Sequence, residues 1–369
     1  MHTADLKYMK RALTLARKGL GRTAPNPAVG CVIVKNGVVV GEGWHKKAGG
    51  PHAEIHALEM AGDAARGADV YVTLEPCCHT GKTPPCSEAL IKAGVKRVIA
   101  GMSDPNPQVS GGGLAALKQA GIKTTCNVLE NDCRAINRPF IKHVTTNLPF
   151  VTYKCAMTLD GNIATITGES RWISCEESRK YVHRMRARMD AVMVGVDTVI
   201  ADNPQLTVRH VRGKNPLRVI VDTRLRTPES VIVLSDQHSS KTIIATTESN
   251  PRIHARYLKQ GASIVVCDEF DGRVAMKDLL QKLGAMDVQS ILLEGGSRLA
   301  GDMLQHGLID ELVFFVAPKV IGNNGFAPFT LQGGITSMSE AVMLEFTDIS
   351  RIGSDIVITA RPEGSCLPD

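Results

Sequence analysis

Apolar residues recur at helical spacing through the opening MHTADLKYMKRALTLARKGL, interleaved with Lys and Arg, and predict a helix over about residues 5–19. The period then changes. In CVIVKNGVVVGEG two runs rich in β-branched residues flank Asn36-Gly37, the pair favoured by a type I′ hairpin turn. Helix and strand patterns alternate from there: HAEIHALEMAG, CSEALIKAG and GLAALKQAG as helices, ADVYVTLEP, KRVIAGM and a run near IKTTCNV as strands. This alternation predicts an α/β layered domain over residues 1–146. The polar, proline-containing KHVTTNLPF supplies the boundary, and residues 147–369 form a second α/β domain with a different order of elements. Its strands are predicted at FVTYKCAM, AVMVGV, LRVIVD, KTIIATT, SIVVCD, SILLEG, ELVFFVAPKVI and SDIVITA, and its helices at 175–188, 274–284 and 297–306.

Composition narrows the class. A chain of 369 residues suits two domains, and 43% hydrophobic with 22% charged residues is globular rather than disordered. No apolar run reaches the roughly 18 residues of a membrane span. The N-terminal stretch lacks a signal-type apolar block, so the expected compartment is the cytoplasm. A net charge of +6 favours an anionic ligand. Aromatic residues are only 4% of the chain, sparse for base-stacking platforms, so a phosphorylated small molecule and a dinucleotide fit at least as well as RNA. Of ten cysteines, Cys77, Cys78 and Cys86 cluster, while Cys31, Cys126, Cys133, Cys155, Cys175, Cys267 and Cys366 are scattered. A tight cluster in a cytosolic chain points to metal.

The cluster has partners upstream. His52 and Glu54 follow AGGP, where a loop enters a helix; at a first turn both side chains can lean toward one point. Cys77 ends a predicted strand, and Cys86 opens a helix whose dipole favours a thiolate. Three ligands, His52, Cys77 and Cys86, would leave the fourth zinc position for water, as in a catalytic site. Glu54 would then shuttle a proton to a departing amine, the arrangement of zinc nucleobase deaminases. A closed structural site would instead take Cys78, His79 or His56 as fourth ligand and leave Glu54 on the helix surface.

Eight residues, CHTGKTPP, separate Cys77 from Cys86, where many deaminases have two. With PNPAVGCVIV, GEGWH, PHAEIHAL, YVTLEPCCHTGKTPPC and DPNPQVSGGG, the first domain resembles the deaminase half of the bifunctional riboflavin-biosynthesis deaminase–reductases. That resemblance implies a cytidine-deaminase-like three-layer fold, with Asn26, His45, His79 and Lys82 contacting substrate.

The second half carries KCAMTLDGNIAT, GESRWIS, VGVDTVIADNPQLTVR, VDTRLRTP, EGG and VAPKVIG in the order of the same family's reductase half, whose fold is like dihydrofolate reductase. The resemblance implies NADPH near Ala156, Ser170, Trp172, Thr198, Asp202 and Thr223, and along Gly296, Ser297, Arg298, Leu299, Ala300, Gly301 and Asp302. It places Ser170, Arg186, Leu206, Arg209 and Glu294 against substrate, with bidentate phosphate pairing the physical case for Arg186 and Arg209. The substrate implied is a ribosylaminopyrimidine phosphate, first deaminated with zinc, then reduced at its ribose. No nucleic acid or membrane partner is implied, and a homo-oligomer is compatible with the reading. Two rivals are a nucleoside or tRNA deaminase with an unrelated C-terminal tail, and a zinc- and nucleotide-binding regulatory protein without turnover.

Overall fold

The computed structural model describes residues 3–78, 84–106, 110–236, 242–322 and 325–364. The chain divides after Asn147 into two compact units. Unit 1 begins with α1 (Thr3–Ala16), then β1 (Gly30–Lys35) and β2 (Val38–Trp44). The turn between the strands has both Asn36 (φ 50°) and Gly37 (φ 80°) in the left-handed region that a type I′ turn requires. There follow α2 (Ala53–Ala61), β3 (Asp69–Val72), α3 (Cys86–Ala93), β4 (Arg97–Ala100), α4 (Gly112–Gln119) and β5 (Lys123–Thr125). The sheet order is β2-β1-β3-β4-β5, antiparallel around β1 and parallel from β3 to β5.

Small residues decide how the helices cover this sheet. A Cβ on Gly30 would lie 2.0 Å from the carbonyl oxygen of Ala12 in α1, and one on Gly43 would lie 2.2 Å from that of Ala53 in α2. Gly43 pairs with Cys31, the neighbour of Gly30, so the two glycines face opposite sides. Helices α1 and α2 therefore cover opposite faces, and the unit has three layers. Two further helices, α5 (Glu130–Ile136) and α6 (Arg138–Thr146), occupy a stretch with no predicted element. Pro139 lies in the first turn of α6, where its missing amide costs nothing.

Unit 2 contains β6 (Phe150–Thr158), α7 (Glu176–Arg186), β7 (Ala191–Gly195), α8 (Val196–Asp202), β8 (Leu217–Val221), α9 (Ile232–Ser235), β9 (Thr242–Thr246), α10 (Pro251–Leu258) and β10 (Ser263–Val266). A short hairpin, β11 (Glu269–Phe270) and β12 (Arg273–Val274), precedes α11 (Met276–Gly284), β13 (Ser290–Glu294), α12 (Ser297–Gln305), β14 (Glu311–Ala317), β15 (Leu344–Ile352) and β16 (Asp355–Pro362). The large sheet runs β10-β9-β8-β7-β13-β6-β14-β16-β15 and is parallel up to β14. Ile291 and Leu293 enter one core and Leu292 the other, so β13 is buried on both faces, as its continuous apolar run requires. In a sheet of this kind ligands sit beyond the carboxyl ends of the strands.

Candidate functional site

His52 caps α2, Glu54 lies in its first turn, and Cys86 is the first residue of α3. His52 Nδ1 lies 3.3 Å from Cys86 Sγ and 3.6 Å from Cys77 Sγ. Zinc bonds of about 2.3 Å to sulfur and 2.0 Å to nitrogen at tetrahedral angles put N and S about 3.5 Å apart. The spacing matches. The Cys86 amide also donates to Cys77 Sγ at 3.3 Å. Hydrogen bonding from the Cys86 thiol, opposed by burial and reinforced by His52, pulls the Cys77 thiol down; its bond to Cys77, followed by burial, pushes the Cys86 thiol up. A divalent cation among the three atoms would let both sulfurs ionise. Among the described residues this is the one such cluster of His, Cys, Asp or Glu. Cys78 instead points its sulfur at Gly112, and His56 faces Glu59. Glu54 is only 3% exposed rather than on the helix surface, and burial raises its carboxyl to about 7.

The cluster opens on a cavity of about 470 Å³ whose lining includes Asn26, His45, His52, Glu54 and Cys77. His45 Nδ1 lies 3.1 Å from the Pro51 carbonyl, which can only accept, so Nδ1 carries the proton. Nε2 then accepts from Asn26 Nδ2 at 3.2 Å. This fixes both the imidazole tautomer and the amide orientation, and burial keeps the ring neutral by lowering its pKa. His79 and Lys82 lie outside the described residues. The lining also includes Glu75, Asp104, Asn106 and Phe140, none of which is marked by a metal-ligand or catalytic pattern in the sequence. Three of them stood in quoted motifs, but nothing in their spacing shows that these stretches converge.

In unit 2 the carboxyl ends of β7, β8 and β13 enclose a cleft of about 270 Å³. Of the cofactor candidates, Thr198, Thr223, Gly296, Arg298, Leu299 and Asp302 line it. Gly295 (φ 74°) and Gly296 (φ 80°) turn the chain from β13 into α12, and a Cβ on Gly295 would lie 3.2 Å from Thr198 Oγ1. Ala300 and Gly301 turn inward: Ala300 is wholly buried, and a Cβ on Gly301 would lie 2.1 Å from the Thr330 carbonyl oxygen. Ser297 bonds Thr330 through its hydroxyl. Asp202 accepts through its carbonyl from the guanidinium of Arg171, the residue between Ser170 and Trp172 in the chain, at 2.9 Å. Ala156 packs beside Phe315 and Val182. Arg224, Arg226 and Arg273 also line the cleft, and no spacing in the sequence marks them as a group.

Near the same strand end, Arg186 donates to both oxygens of Glu294, at 2.6 and 2.7 Å, and to the Thr207 carbonyl at 3.1 Å. The expected phosphate pairing therefore does not fit Arg186, whose bidentate edge is taken by Glu294. Arg209 bonds Gln205 and Thr207 only through Nη1. Leu206 (φ 54°) is buried within an apolar core cluster. His183, unremarked in the sequence, accepts the Arg209 amide through Nδ1 at 3.2 Å. Burial and the adjacent Arg186 and Arg209 push it down to about 4, so the ring stays neutral.

Residues 2–102 match the cytidine and deoxycytidylate deaminase zinc-binding region, and residues 149–358 match the RibD C-terminal domain. Fold and sites define a two-domain enzyme, a zinc-binding deaminase joined to a reductase. The chain is 45% identical to the riboflavin biosynthesis protein RibD of Actinobacillus pleuropneumoniae, over 96% of its length and 94% of that protein. Against RibD of Escherichia coli strain K12 it is 41% identical over 96% and 98%. The structure of Acinetobacter baumannii RibD superposes with a TM-score of 0.88 at 38% identity, covering 97% of this chain and 99% of that one. A Thermotoga maritima diaminohydroxyphosphoribosylaminopyrimidine deaminase/5-amino-6-(5-phosphoribosylamino)uracil reductase gives 0.86 at 38% identity, with the same coverage. The chain belongs to the RibD family of bifunctional riboflavin-biosynthesis proteins. A deaminase with an unrelated tail is thereby excluded. Among the described residues no helix is long and apolar enough to cross a membrane.

Proposed function

We propose that unit 1 deaminates 2,5-diamino-6-(5-phosphoribosylamino)pyrimidin-4(3H)-one hydrolytically, and that unit 2 reduces the ribosyl group of the product to ribityl with NADPH. The observation carrying this reading is the tetrahedral-edge spacing of His52 Nδ1, Cys77 Sγ and Cys86 Sγ beside a buried Glu54 at the wall of a polar cavity. His52, Cys77 and Cys86 would hold the zinc, which would supply an activated water as nucleophile. Glu54 accepts a proton and delivers it to the departing amino group, from a buried position at the cavity wall. His45 holds the Asn26 amide so that Asn26 Oδ1 is left to accept from an amino group on the pyrimidine edge. His79 and Lys82 remain proposed substrate contacts.

In unit 2 a bound NADPH would supply the hydride. Gly296 lets the backbone approach a pyrophosphate, and Thr198, Thr223 and Arg298 flank it. Arg209 takes the substrate phosphate, while Arg186 holds Glu294 ionised and aimed. Ser170, Trp172 and Asp202 form the outer end of the ligand site. The enzyme works in the cytoplasm on a free small molecule, alone or as a homo-oligomer.

Metal analysis tests the carrying observation. The purified protein should hold one zinc per chain, and Cys77→Ser and Cys86→Ser should each lose it with ammonia release. Full zinc content in both variants would contradict the ligand assignment.

A further inference from the structure

Glu75 belongs to neither the metal cluster nor any ion pair among the described residues, yet it is only 3% exposed. Its carboxylate is satisfied by backbone instead. Oε2 accepts the amides of Asp104 at 3.2 Å and Gly111 at 3.0 Å, and Oε1 accepts that of Leu114 at 3.0 Å. Three main-chain donors on one buried carboxylate make charge-assisted bonds that fix the donors as firmly as the acceptor.

What they fix is a wall of the deaminase cavity. Asp104 and Asn106 line it together with Asn26 and Glu54, and the Asn106 amide donates to Asp104 Oδ1 at 2.9 Å. The glycines of SGGG serve the same seating. Gly111 adopts φ 78°, a Cβ on Gly112 would lie 2.7 Å from Cys78 Sγ, and one on Gly113 would lie 1.8 Å from the Pro76 carbonyl oxygen. Residues 110–114 therefore lie directly on the segment that ends in the ligand Cys77.

We propose that Glu75 is a positioning residue for deamination, tying the cavity wall at Asp104 and Asn106 to the Cys77 segment so that pyrimidine and metal keep one register. The inference rests on the deaminase reading above. A wall displaced by about 1 Å can cost on the order of 100-fold in rate.

Glu75→Ala and Glu75→Gln are compared with the wild type for ammonia release from the diaminopyrimidine phosphate, zinc content, reduction of supplied deaminated product, and amide exchange over residues 104–106 and 110–114. The expected result for Ala is a KM raised at least ~10-fold, faster exchange in those segments, one zinc retained and unchanged reduction. Gln keeps one acceptor oxygen and should fall between Ala and wild type. Wild-type KM and exchange in the Gln variant, or loss of zinc with unchanged KM in the Ala variant, would overturn the role. Failure of the wild type to release ammonia would count against the deaminase reading instead, and the exchange comparison decides Glu75 in that case too.

Discussion

Glu54 stands in the first turn of α2, one residue from Ala53, whose carbonyl presses on β2, and two from the ligand His52. Its backbone cannot shift without moving the cluster, which suits the short-range proton transfer proposed for it. Replacing it by Gln should preserve zinc and reduce ammonia release by ~100- to 10,000-fold, read as ammonia per chain against metal content. The Arg186–Glu294 pair makes a stability prediction. Burial alone would raise the Glu294 carboxyl, but attraction and hydrogen bonding from Arg186 outweigh it and hold it below its ordinary value. A depressed folded pKa contributes stability that is present above the unfolded value of about 4.3 and is lost as pH falls through the lower folded value. Unit 2 should thus lose stability as pH falls below about 4, and Glu294→Ala, leaving Arg186 buried alone, should cost about 3–5 kcal/mol at neutral pH. Urea melts across pH check both. Chemically scarce residue types at helix mouths and at the end of a predicted strand made His52, Glu54, Cys86 and Cys77 legible in the chain. Glu75 and His183 were not, because their partners are backbone amides 26 to 39 residues away whose approach leaves no mark in local spacing.

At the scale of elements, glycines in the strands set the distance to the helices. Gly43→Val would force side-chain atoms into the Ala53 and Ala57 backbone of α2, the helix that carries Glu54. Overpacking of this kind costs about 1–3 kcal/mol or more, so the variant should melt earlier and lose deamination before reduction, as thermal melts and the two assays would show. The Asn36-Gly37 hairpin and the apolar runs of the parallel strands were legible because turn chemistry and two-sided burial act locally. β15 was not. A register shift between Phe346 and Asp348 breaks the alternation that marks a half-buried strand, and most of the strand is exposed. α10 carries a local start signal, since Asn250 caps the Arg252 amide and Pro251 opens the helix.

For the whole molecule, the two units divide the chemistry: three metal-type ligands and a buried carboxylate in one, a glycine turn and a cleft lined by arginines in the other. Ammonia and oxidised cofactor should therefore appear in sequence, each traceable to one unit. The most direct measurement follows ammonia released and NADPH oxidised in one sample given the diaminopyrimidine phosphate, before and after removal of metal with a chelator. Equal amounts of both, ammonia first, are expected from the metal-loaded enzyme; after chelation neither should appear until the deaminated pyrimidine is supplied, when oxidation alone returns. Ammonia release that survives complete metal removal would contradict the account.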